Sequence, residues 1–374
     1  MRILYITTIG GTMHFFKSFI EKLVEEGNTV DIAANMINSP VPDCYNEWNC
    51  KTFQISCSRS PMSFGNIKAV NEIKKLVAQT HYDIVHCHTP IAAACTRLAC
   101  IDARKNGTRV IYTAHGFHFY DGAPVKNWVL FYPVERFLSK WTDVLITINK
   151  EDYKRAIEDF KAEKTFYVPG VGVDIEYFST CKVDKEKKRL EIGVKTDDLI
   201  LLSVGELSVR KNQQVIIEAL GKMKQEGTIG SIVYLIVGKG VLQEFFQALI
   251  EKHGLQDHVK MLGFRSDIAE LLHVADLFVF PSLQEGLPVA LMEAMASGTP
   301  CLASRIRGNT DLLDNIPKSL VSFNTVNEWK KSIIEAIKLD STYMSVCMLS
   351  EINKFRIDNV NSIMRDIYNQ VMLD

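Results

Sequence analysis

Two glutamates in the C-terminal half of the chain have a spacing that suits the recognition of hydroxyl groups. Glu285 and Glu293 lie with seven residues between them in the segment 281–303, PSLQEGLPVALMEAMASGTPCLA. A carboxylate accepts hydrogen bonds from the hydroxyls of a sugar or a ribose, but it repels a phosphate. The pair could therefore hold the neutral part of one ligand. An acid favoured by a helix dipole and an ordinary exposed glutamate would give the same pattern.

The same segment predicts a helix whose first turn could meet a ligand. Pro288 suits the first helical turn, where its missing N–H costs nothing, and Gly298 suits the helix end. The helix would begin directly after Gly286 and Leu287 and leave free backbone N–H groups at its positive dipole end. Such a helix start binds anions, and a diphosphate is the appropriate anion here.

Two cations occupy a second turn, residues 205–212 (GELSVRKN), between a predicted strand and a predicted helix. Arg210 and Lys211 would direct positive charge toward the same ligand and neutralise a leaving diphosphate. The alternative for both residues is a solvated cation at a helix start.

Four histidines lie at the ends of two predicted strands of the first half or directly after them. His115 lies in TAHGFH (113–118) and is a candidate ligand contact, although a lone histidine is more often structural. His118 stays ambiguous between the two interpretations. His86 and His88 have a spacing that could suit a metal, but no third ligand accompanies them, so we expect them to be buried.

Gly10 and Gly11 open the first helix of the chain. Their backbone N–H groups could meet a phosphate or an acceptor, and a tight turn would need the same two glycines.

The motifs of several cofactors and metals are absent from the sequence. No G-x-G-x-x-G follows the first strand, which weakens a dehydrogenase interpretation, and no G-x4-G-K-[S/T] marks a P-loop ATPase. No Asp-x-Asp is present to hold a divalent metal on a diphosphate. We therefore expect no cofactor and no metal, and an activity that survives EDTA.

The elements that position these residues repeat one pattern twice. In the first half a helix is predicted at 15–26 and strands at 2–7, 29–34, 83–88, 109–113 and 144–148. In the second half helices are predicted at 213–225, 241–252, 268–275 and 288–297, and strands at 199–204, 231–237, 259–262, 277–281 and 300–303. Strands that alternate with helices form right-handed βαβ units on a parallel sheet. The fold class is therefore α/β, with two Rossmann-like doubly wound sheets whose carboxyl edges would face a cleft.

Length and composition fit two globular domains in a reducing compartment. A chain of 374 residues favours two domains, which we place at 1–172 and 173–352, with a linker near 169–173 and the charged run 182–189. The net charge of −1 gives no reason to expect nucleic acid as a partner. Nine scattered cysteines without a Cys-x-x-Cys pair indicate core residues. Without a signal-peptide pattern or an apolar run of about 18 residues, we expect a cytoplasmic protein.

Several blocks, in order along the chain, resemble retaining GT-B glycosyltransferases of the family-four type. The resemblance is carried by Glu-x7-Glu within EGLPVALMEAMASGTP and by LLSVGELSVRKNQQVIIEAL, LIVGKG, VKMLGFRSDIAELLHVADLFVFPS and YTAHGFHFYDGAP. It implies that Glu285 binds hydroxyls of the donor sugar, that Glu293 binds the ribose, and that His115 approaches the donor sugar. It also implies that the loop of Phe264 and Arg265 holds the nucleotide base.

One departure from the family pattern concerns the cations. Many relatives have an arginine directly after the glycine of the 205–212 turn, and this chain has Glu206 there. Lys211 keeps the lysine position of the pattern, so Arg210 would have to replace the missing arginine.

The resemblance implies a reaction and a role for each domain. A hexose or N-acetylhexosamine would move from a nucleotide sugar, with UDP as the leading expectation, to a glycan or lipid-linked acceptor of a surface polysaccharide, with net retention. The N-terminal domain would bind the acceptor, the C-terminal domain the donor, and a last helix, 353–374, would pack back on the N-terminal domain. A nucleotide-sugar epimerase or a non-catalytic nucleotide-sugar-binding protein would share this architecture.

The segment 121–141 (DGAPVKNWVLFYPVERFLSKW) is apolar and aromatic with interspersed Lys and Arg. A face of this kind lies against a membrane surface or packs on the core. In the first case the acceptor would be lipid-linked, and the protein would work on the inner face of the membrane.

Overall fold

The computed structural model describes residues 1–373, which form two compact units. The N-terminal unit consists of Met1–Val171 together with the C-terminal segment from Asp358, and the C-terminal unit is Gly172–Ile357. The chain therefore leaves the first unit, builds the second and returns to the first.

Seven parallel strands form the sheet of the N-terminal unit. They are β1 (Arg2–Ile9), β2 (Thr29–Asn35), β3 (Thr52–Gln54), β4 (Ile84–His88), β5 (Arg109–Ala114), β6 (Val144–Thr147) and β7 (Lys164–Tyr167). Their order is β3-β2-β1-β4-β5-β6-β7. The five strands predicted for this half are confirmed, and the two that the sequence did not reveal, β3 and β7, are the sheet edges.

The Met1–Val171 part of this unit contains seven α-helices, and side chains cap the starts of two of them. The seven helices are α1 (Lys17–Glu25), α2 (Cys44–Glu47), α3 (Phe64–Gln79), α4 (Pro90–Ala99), α5 (Ile101–Lys105), α6 (Val125–Leu138) and α7 (Lys150–Asp159). The Ser63 side chain accepts from the Gly65 N–H before α3, and Asn149 accepts from the Asp152 N–H before α7. The predicted helix 15–26 begins as a 3-10 turn, Gly10–Phe16, that leads into α1.

Both faces of the sheet are buried, because alternate residues of each strand point to opposite cores. Leu4 and Ile6 of β1 lie in one apolar cluster, whereas Ile3 and Tyr5 lie in the other. The second cluster also contains side chains of the last helix, α17 (Ile357–Leu373), at the helical spacing Val360, Met364, Ile367, Tyr368 and Val371.

Six parallel strands form the sheet of the C-terminal unit. They are β8 (Leu199–Val204), β9 (Ile232–Val237), β10 (Val259–Gly263), β11 (Leu277–Phe280), β12 (Cys301–Ser304) and β13 (Leu320–Val321), in the order β10-β9-β8-β11-β12-β13. Its helices are α8 (Ile175–Ser179), α9 (Lys185–Glu191), α10 (Gln214–Gln225), α11 (Gln243–Lys252), α12 (Ile268–Val274), α13 (Val289–Ala296), α14 (Asn309–Leu313), α15 (Val326–Ala336) and α16 (Ser341–Ile352). Each of the two units is thus a Rossmann-like doubly wound sheet, as predicted.

The charged run 182–189, expected in the linker, instead contributes a helix to the C-terminal unit. Asp184 caps the start of α9, and Lys188 on this helix is 8% exposed. The Lys188 ammonium lies 2.8 Å from a carboxylate oxygen of Asp267 and 2.6 Å from one of Glu270. The charges of this run are therefore used in tertiary ion pairs, which a pattern of consecutive Lys and Glu does not reveal.

In both sheets the strand order reverses beside the first strand, between β1 and β4 and between β8 and β11. Ligands of open parallel sheets bind outside the carboxyl ends of the strands at such reversals. The predicted site residues follow these strands in both units.

Candidate active site

The loops after β8 and β11 bring the predicted cations and the first glutamate together. The Lys211 Nζ lies 2.7 Å from Oε1 of Glu285, and the Arg210 guanidinium lies 3.1 Å from the same oxygen. Arg210 also donates to the Gln284 carbonyl, and its own carbonyl accepts from the Leu283 N–H at 2.8 Å. Glu285 thus holds two cations at the reversal point of the C-terminal sheet.

Lys211 is enclosed within the unit, whereas Arg210 is half-exposed. Burial lowers the pKa of Lys211, and the adjacent Glu285 carboxylate opposes this effect. The Lys211 Nζ lies 4.6 Å from the centroid of the Phe280 ring, which adds a cation–π contact. Glycine at position 205 makes room for this lysine, because a Cβ there would lie 3.3 Å from the Lys211 Cε on a backbone with φ of +153°.

Glu206, which stands where the family pattern has an arginine, is exposed. Its backbone carbonyl accepts from the Gln213 side chain at 3.0 Å. Arg210, four residues later, supplies a guanidinium to the carboxylate of Glu285, so the chain keeps a cation pair despite the departure.

Asn212 is a residue of this site that the sequence interpretation overlooked. It is a non-glycine residue with positive φ, +55°, and its side-chain amide donates to the Pro281 carbonyl at 3.2 Å. Asn212 thereby joins the loop that carries the cations to the loop that leads to Glu285. An asparagine directly after Arg-Lys, at a predicted helix start, was the available signal.

Arg307 and Gly308, after β12, form a further support that was not predicted. The Arg307 Nε donates to the backbone carbonyl of Glu285 at 3.1 Å, and Arg307 is buried. Gly308 has φ of +78°, and a Cβ there would lie 2.4 Å from the carbonyl oxygen of Gly286. The loop after β12 therefore packs directly against the turn that carries Glu285.

Helix α13 begins directly after this turn. Pro288 is its N-terminal cap residue, and no side chain caps the helix start. The first turn of α13, directly after Gly286 and Leu287, therefore has backbone N–H groups without a side-chain cap, which is the arrangement that an anion site requires. Gly298, with φ of +71°, follows the helix end.

Glu293 lies inside α13 and is partly buried. Burial raises its pKa to about 7. Within residues 1–373 its carboxylate has no hydrogen-bond donor or ion-pair partner. A partly buried carboxyl in this state is well suited to accept from the hydroxyls of a ligand.

The loop after β10 carries Phe264 and Arg265. The Phe264 ring is 74% exposed. The Arg265 guanidinium instead binds carboxylates of its own unit, at 2.8 Å from Asp267 and 2.5 Å from Glu191. These hydrogen bonds raise the pKa of Arg265 above its ordinary range. The loop thus presents the Phe264 ring and the backbone, while the Arg265 side chain fixes the loop on α9.

In the N-terminal unit, His115 lies at the carboxyl end of β5 beside the buried His88 of β4. The His88 Nδ1 and His115 Nε2 are 3.0 Å apart, and His115 is partly exposed. His86 is fully buried and is held at both ring nitrogens, by the Tyr368 hydroxyl at 2.6 Å and the Thr113 hydroxyl at 2.7 Å. The predicted burial of His86 and His88 is confirmed.

Gly10 and Gly11 accommodate a neighbouring loop closely. A Cβ on Gly10 would lie 2.5 Å from the Ser39 carbonyl oxygen, and a Cβ on Gly11 would lie equally close to the Ser39 hydroxyl. The same hydroxyl accepts from the Gly11 N–H at 3.1 Å. Close approach of the loop after β2 therefore accounts for both glycines, and the Gly11 amide is already used.

His118 stacks on Phe131, with ring centroids 4.5 Å apart.

Helix α6, from the segment 121–141, presents one apolar face to the surface and another to the core. On the inner side, Glu135 accepts from the buried Arg97 guanidinium at 2.8 Å. On the outer side, apolar side chains at helical spacing are exposed, and basic residues flank them: Val125, Val129, Leu130, Val134 and Phe137, with Lys126, Arg136 and Lys140. We call these eight residues the α6 outer face.

Two kinds of feature are absent from residues 1–373. No three His, Cys, Asp or Glu side chains converge as they would around a metal ion. None of the described helices combines the length and apolarity that crossing a membrane requires.

Comparison with known proteins supports one family for both halves of the chain. The family model described as glycosyl transferases group 1 matches residues 184–346, and that described as glycosyl transferase 4-like matches residues 2–149. The chain is 39% identical to EpsD of Bacillus subtilis (strain 168), a provisionally named glycosyltransferase, over 83% of this chain and 81% of EpsD. It is 30% identical to the UDP-Gal:alpha-D-GlcNAc-diphosphoundecaprenol alpha-1,3-galactosyltransferase of Escherichia coli, over 81% of this chain and 79% of the relative.

Among solved structures, Anabaena Alr3699/HepE in complex with UDP and glucose is similar to the whole chain. The TM-score is 0.79 at 20% sequence identity, with 99% of this chain and 100% of the other covered. At this identity the likeness concerns the fold.

Proposed function

Because the chain belongs to the glycosyl transferases of group 1, we propose that it transfers a hexose or N-acetylhexosamine from a UDP-sugar to a lipid-linked glycan, with retention and without a metal. Family membership makes the protein a glycosyltransferase of glycan biosynthesis with the GT-B fold. The observation that carries the finer proposal is the convergence of Lys211 and Arg210 on Glu285 at the reversal point of the C-terminal sheet.

The donor binds to the C-terminal unit along its carboxyl edge in this proposal. The exposed Phe264 ring stacks on the base, and the unpaired carboxylate of Glu293 accepts from the ribose hydroxyls. Lys211, Arg210 and the amides of the Gly286 turn face the diphosphate, where negative charge grows as the sugar departs. Glu285, already oriented by both cations, accepts from a sugar hydroxyl.

Retention follows if the acceptor hydroxyl attacks from the face that the diphosphate leaves, with the departing phosphate taking the acceptor proton. The carboxylates of Glu285 and Glu293 are assigned to binding hydroxyls, so neither is required as a covalent nucleophile. The name of the Escherichia coli relative, which specifies an alpha-1,3 linkage, is compatible with this stereochemistry. The NMR coupling constant of the product's anomeric proton tests it, and an inverted product would contradict retention.

UDP is the proposed leaving group, by analogy with the donor in the name of the Escherichia coli relative and with the UDP of the HepE complex. A thermal-shift screen of nucleoside diphosphates in EDTA tests this proposal. We expect UDP to raise the melting temperature selectively, because a ligand that binds the folded state stabilises it by mass action. A shift with another nucleoside diphosphate, or only with added metal, would refute the proposed donor or the metal independence.

The α6 outer face supports a membrane-bound acceptor. Leu130 is 62% exposed and Phe137 is 52% exposed, and apolar side chains rimmed by cations bind the interface of an anionic bilayer. The acceptor in the name of the Escherichia coli relative is itself a diphosphoundecaprenol lipid. We infer that this protein works on the cytoplasmic face of a membrane and takes a lipid-linked acceptor through its N-terminal unit.

Co-sedimentation with vesicles that contain phosphatidylglycerol tests this contact. The paired substitution Leu130→Asp and Val134→Asp should keep the protein in the supernatant, because it places two negative charges on the α6 outer face. A matched control is the pair Leu190→Asp and Val241→Asp, two exposed positions of the C-terminal unit, which should sediment like the original protein. Equal sedimentation of both pairs would exclude α6 as the contact.

A further inference from the structure

Two histidines at the carboxyl ends of neighbouring strands share one hydrogen bond. The His88 Nδ1 and the His115 Nε2 lie 3.0 Å apart, so one proton lies between them. Burial lowers the pKa of His88 well below its ordinary value and lowers that of His115 to about 4. Both rings are therefore neutral at pH 7, and each carries a single N–H.

The His88 ring has no freedom to turn. It stacks on Phe16, with ring centroids 4.1 Å apart, and lies between the rings of Tyr5 at 5.4 Å and His86 at 4.1 Å. Only 2% of its surface is exposed. The neighbouring His86 cannot assist it, because both of its ring nitrogens are already bonded to Tyr368 and Thr113.

The second nitrogen of His88 decides where the shared proton belongs. His88 Nε2 is buried and has no hydrogen-bond partner among residues 1–373. If His115 donated the shared proton, His88 would have to carry its own proton on Nε2, as a buried N–H without an acceptor. If His88 donates through Nδ1, its Nε2 is an acceptor without a donor. Buried N–H groups without an acceptor are rarer than buried acceptors without a donor, so we assign the shared proton to His88 Nδ1.

The protonation of the second nitrogen of His115 follows from this assignment. With Nε2 accepting from His88, the single proton of the neutral His115 ring is on Nδ1. No described residue accepts a hydrogen bond from this nitrogen, and the ring is partly exposed. It is therefore available to a ligand as a donor.

We propose that His88 is a positioning residue that fixes His115 as the Nδ1–H tautomer, so that His115 donates a hydrogen bond to a substrate oxygen and cannot act as a base. The part that concerns substrate rests on the proposed function. A sugar hydroxyl oxygen or an N-acetyl carbonyl is an acceptor of the right chemistry. His115 is thereby excluded as the group that takes the acceptor proton.

The tautomer is measurable in the free protein, without donor or acceptor. Protein labelled with ¹⁵N in histidine gives long-range ¹H–¹⁵N correlations that distinguish Nδ1–H from Nε2–H, and His115→Gln identifies the His115 signals by their loss. We expect the His115 signals of the Nδ1–H form at pH 7. An Nε2–H pattern would overturn the proposal even if the enzyme is active, so this result is independent of the proposed reaction.

Two substitutions at position 88 distinguish the hydrogen bond that positions His115 from the packing of the His88 ring. Asparagine places an amide N–H near the position of Nδ1, whereas phenylalanine keeps the stacked ring but removes the hydrogen bond. We expect His88→Asn to retain the His115 tautomer and most of the turnover, and His88→Phe to lose the tautomer and to lower kcat on the order of tenfold to a hundredfold. An unchanged His115 signal in His88→Phe, or equal loss of turnover in both variants, would overturn the role.

Discussion

At the scale of single residues, the Lys211 ammonium is under two opposing influences. Burial in the C-terminal unit lowers its pKa, and the Glu285 carboxylate 2.7 Å away favours its charged form. A diphosphate beside this pair would add negative charge to the side of Lys211 that faces the ligand. The lysine is thus enclosed and oriented before a donor arrives, which is the condition for effective stabilisation of a leaving group.

Replacing Lys211 should therefore impair chemistry more than folding. We expect Lys211→Ala to lower kcat on the order of 100-fold to 1,000-fold, because one preorganised cation is lost from the leaving group. Steady-state transfer assays measure the effect. Lys252→Ala, at an exposed lysine of α11, is the matched control and should leave kcat unchanged. A loss below about tenfold would remove Lys211 from the chemical step.

Glu293 should make stability and nucleotide affinity depend on pH. Burial raises its pKa from 4.5 to about 7, so the folded unit retains a proton that the unfolded chain has released in this interval. The stability associated with this carboxyl is present below pH 4.5 and lost as the pH rises to about 7. Glu293→Gln should therefore gain stability over the original protein, on the order of 3 kcal/mol above pH 7 and almost none at pH 4.5.

Thermal unfolding of both proteins at pH 4.5 and pH 8 measures the difference. Affinity for UDP should change in the opposite sense, because the ionised carboxylate is the better acceptor for ribose hydroxyls. The affinity of the original protein should rise as the pH passes through about 7, whereas that of Glu293→Gln should not depend on pH. A stability difference independent of pH would contradict the raised pKa of Glu293.

At the scale of elements, the site depends on three loops that meet after β8, β11 and β12. Asn212 joins the first loop to the second through the Pro281 carbonyl, and Arg307 joins the third to the second through the Glu285 carbonyl. The position of Glu285 is therefore determined by contacts from both neighbouring strands.

Gly308 and Gly227 have similar backbone angles but different surroundings. Substituting each with alanine therefore separates the cost of backbone strain from the cost of displacing a neighbouring turn. Gly308 has φ of +78° and would clash with Gly286, whereas Gly227 has φ of +68° and open space around it. We expect Gly227→Ala to cost about 1 kcal/mol of stability and to leave UDP affinity unchanged. Gly308→Ala should cost more and should weaken UDP binding at least about tenfold, because the turn of Glu285 must move. Calorimetric titration with UDP measures the affinity of both variants. Equal affinities would show that the turn of Glu285 does not contact the nucleotide.

The sequence predicted the central elements because burial on both faces leaves a continuous apolar run. The strands β1 and β5 are of this kind, and so are β8, β9 and β11. The three strands that it did not reveal, β3, β7 and β13, are edge strands of two to four residues. A short edge strand owes its conformation to the neighbouring strand, which a local pattern does not contain.

The sequence identified charged residues of the candidate site better than it identified their hydrogen-bond partners. Lys211, Arg210 and Glu285 were identified because charge at the end of a strand is conspicuous. Arg307 was overlooked, since its role depends on a loop that approaches from another strand. Arg265 was assigned to the loop that holds the base, and its guanidinium is bound to Asp267 and to Glu191, which lies 74 residues earlier in the chain.

At the scale of the whole molecule, the N-terminal unit is assembled from the two ends of the chain. The Tyr368 hydroxyl on α17 lies 2.8 Å from the Tyr5 hydroxyl of β1 and 2.6 Å from the Nδ1 of His86. These three groups are fully buried, so the last helix completes a polar network inside the first sheet's core.

Removing the Tyr368 hydroxyl should therefore destabilise the N-terminal unit. Tyr368→Phe leaves Tyr5 and His86 each short of a partner, and we expect a loss of about 1–3 kcal/mol. Differential scanning calorimetry, with UDP present to stabilise the C-terminal unit, should show a lower melting temperature for the other unit. Tyr177→Phe, at a tyrosine 57% exposed on α8, is the control. An unchanged melting profile for Tyr368→Phe would show that the network contributes no stability.

This return of the chain has a consequence for protein synthesis. The ribosome makes β1 before the whole of Gly172–Ile357 and α17 after it. At about 5–20 residues per second, that interval is roughly 10–40 seconds. During this time the apolar face around Ile3 and Tyr5 is covered by α1 but not by α17, whereas the second unit can fold as soon as it emerges. The nascent chain should therefore complete its two units in the reverse of their order along the sequence, and a chaperone would have its binding surface on the first.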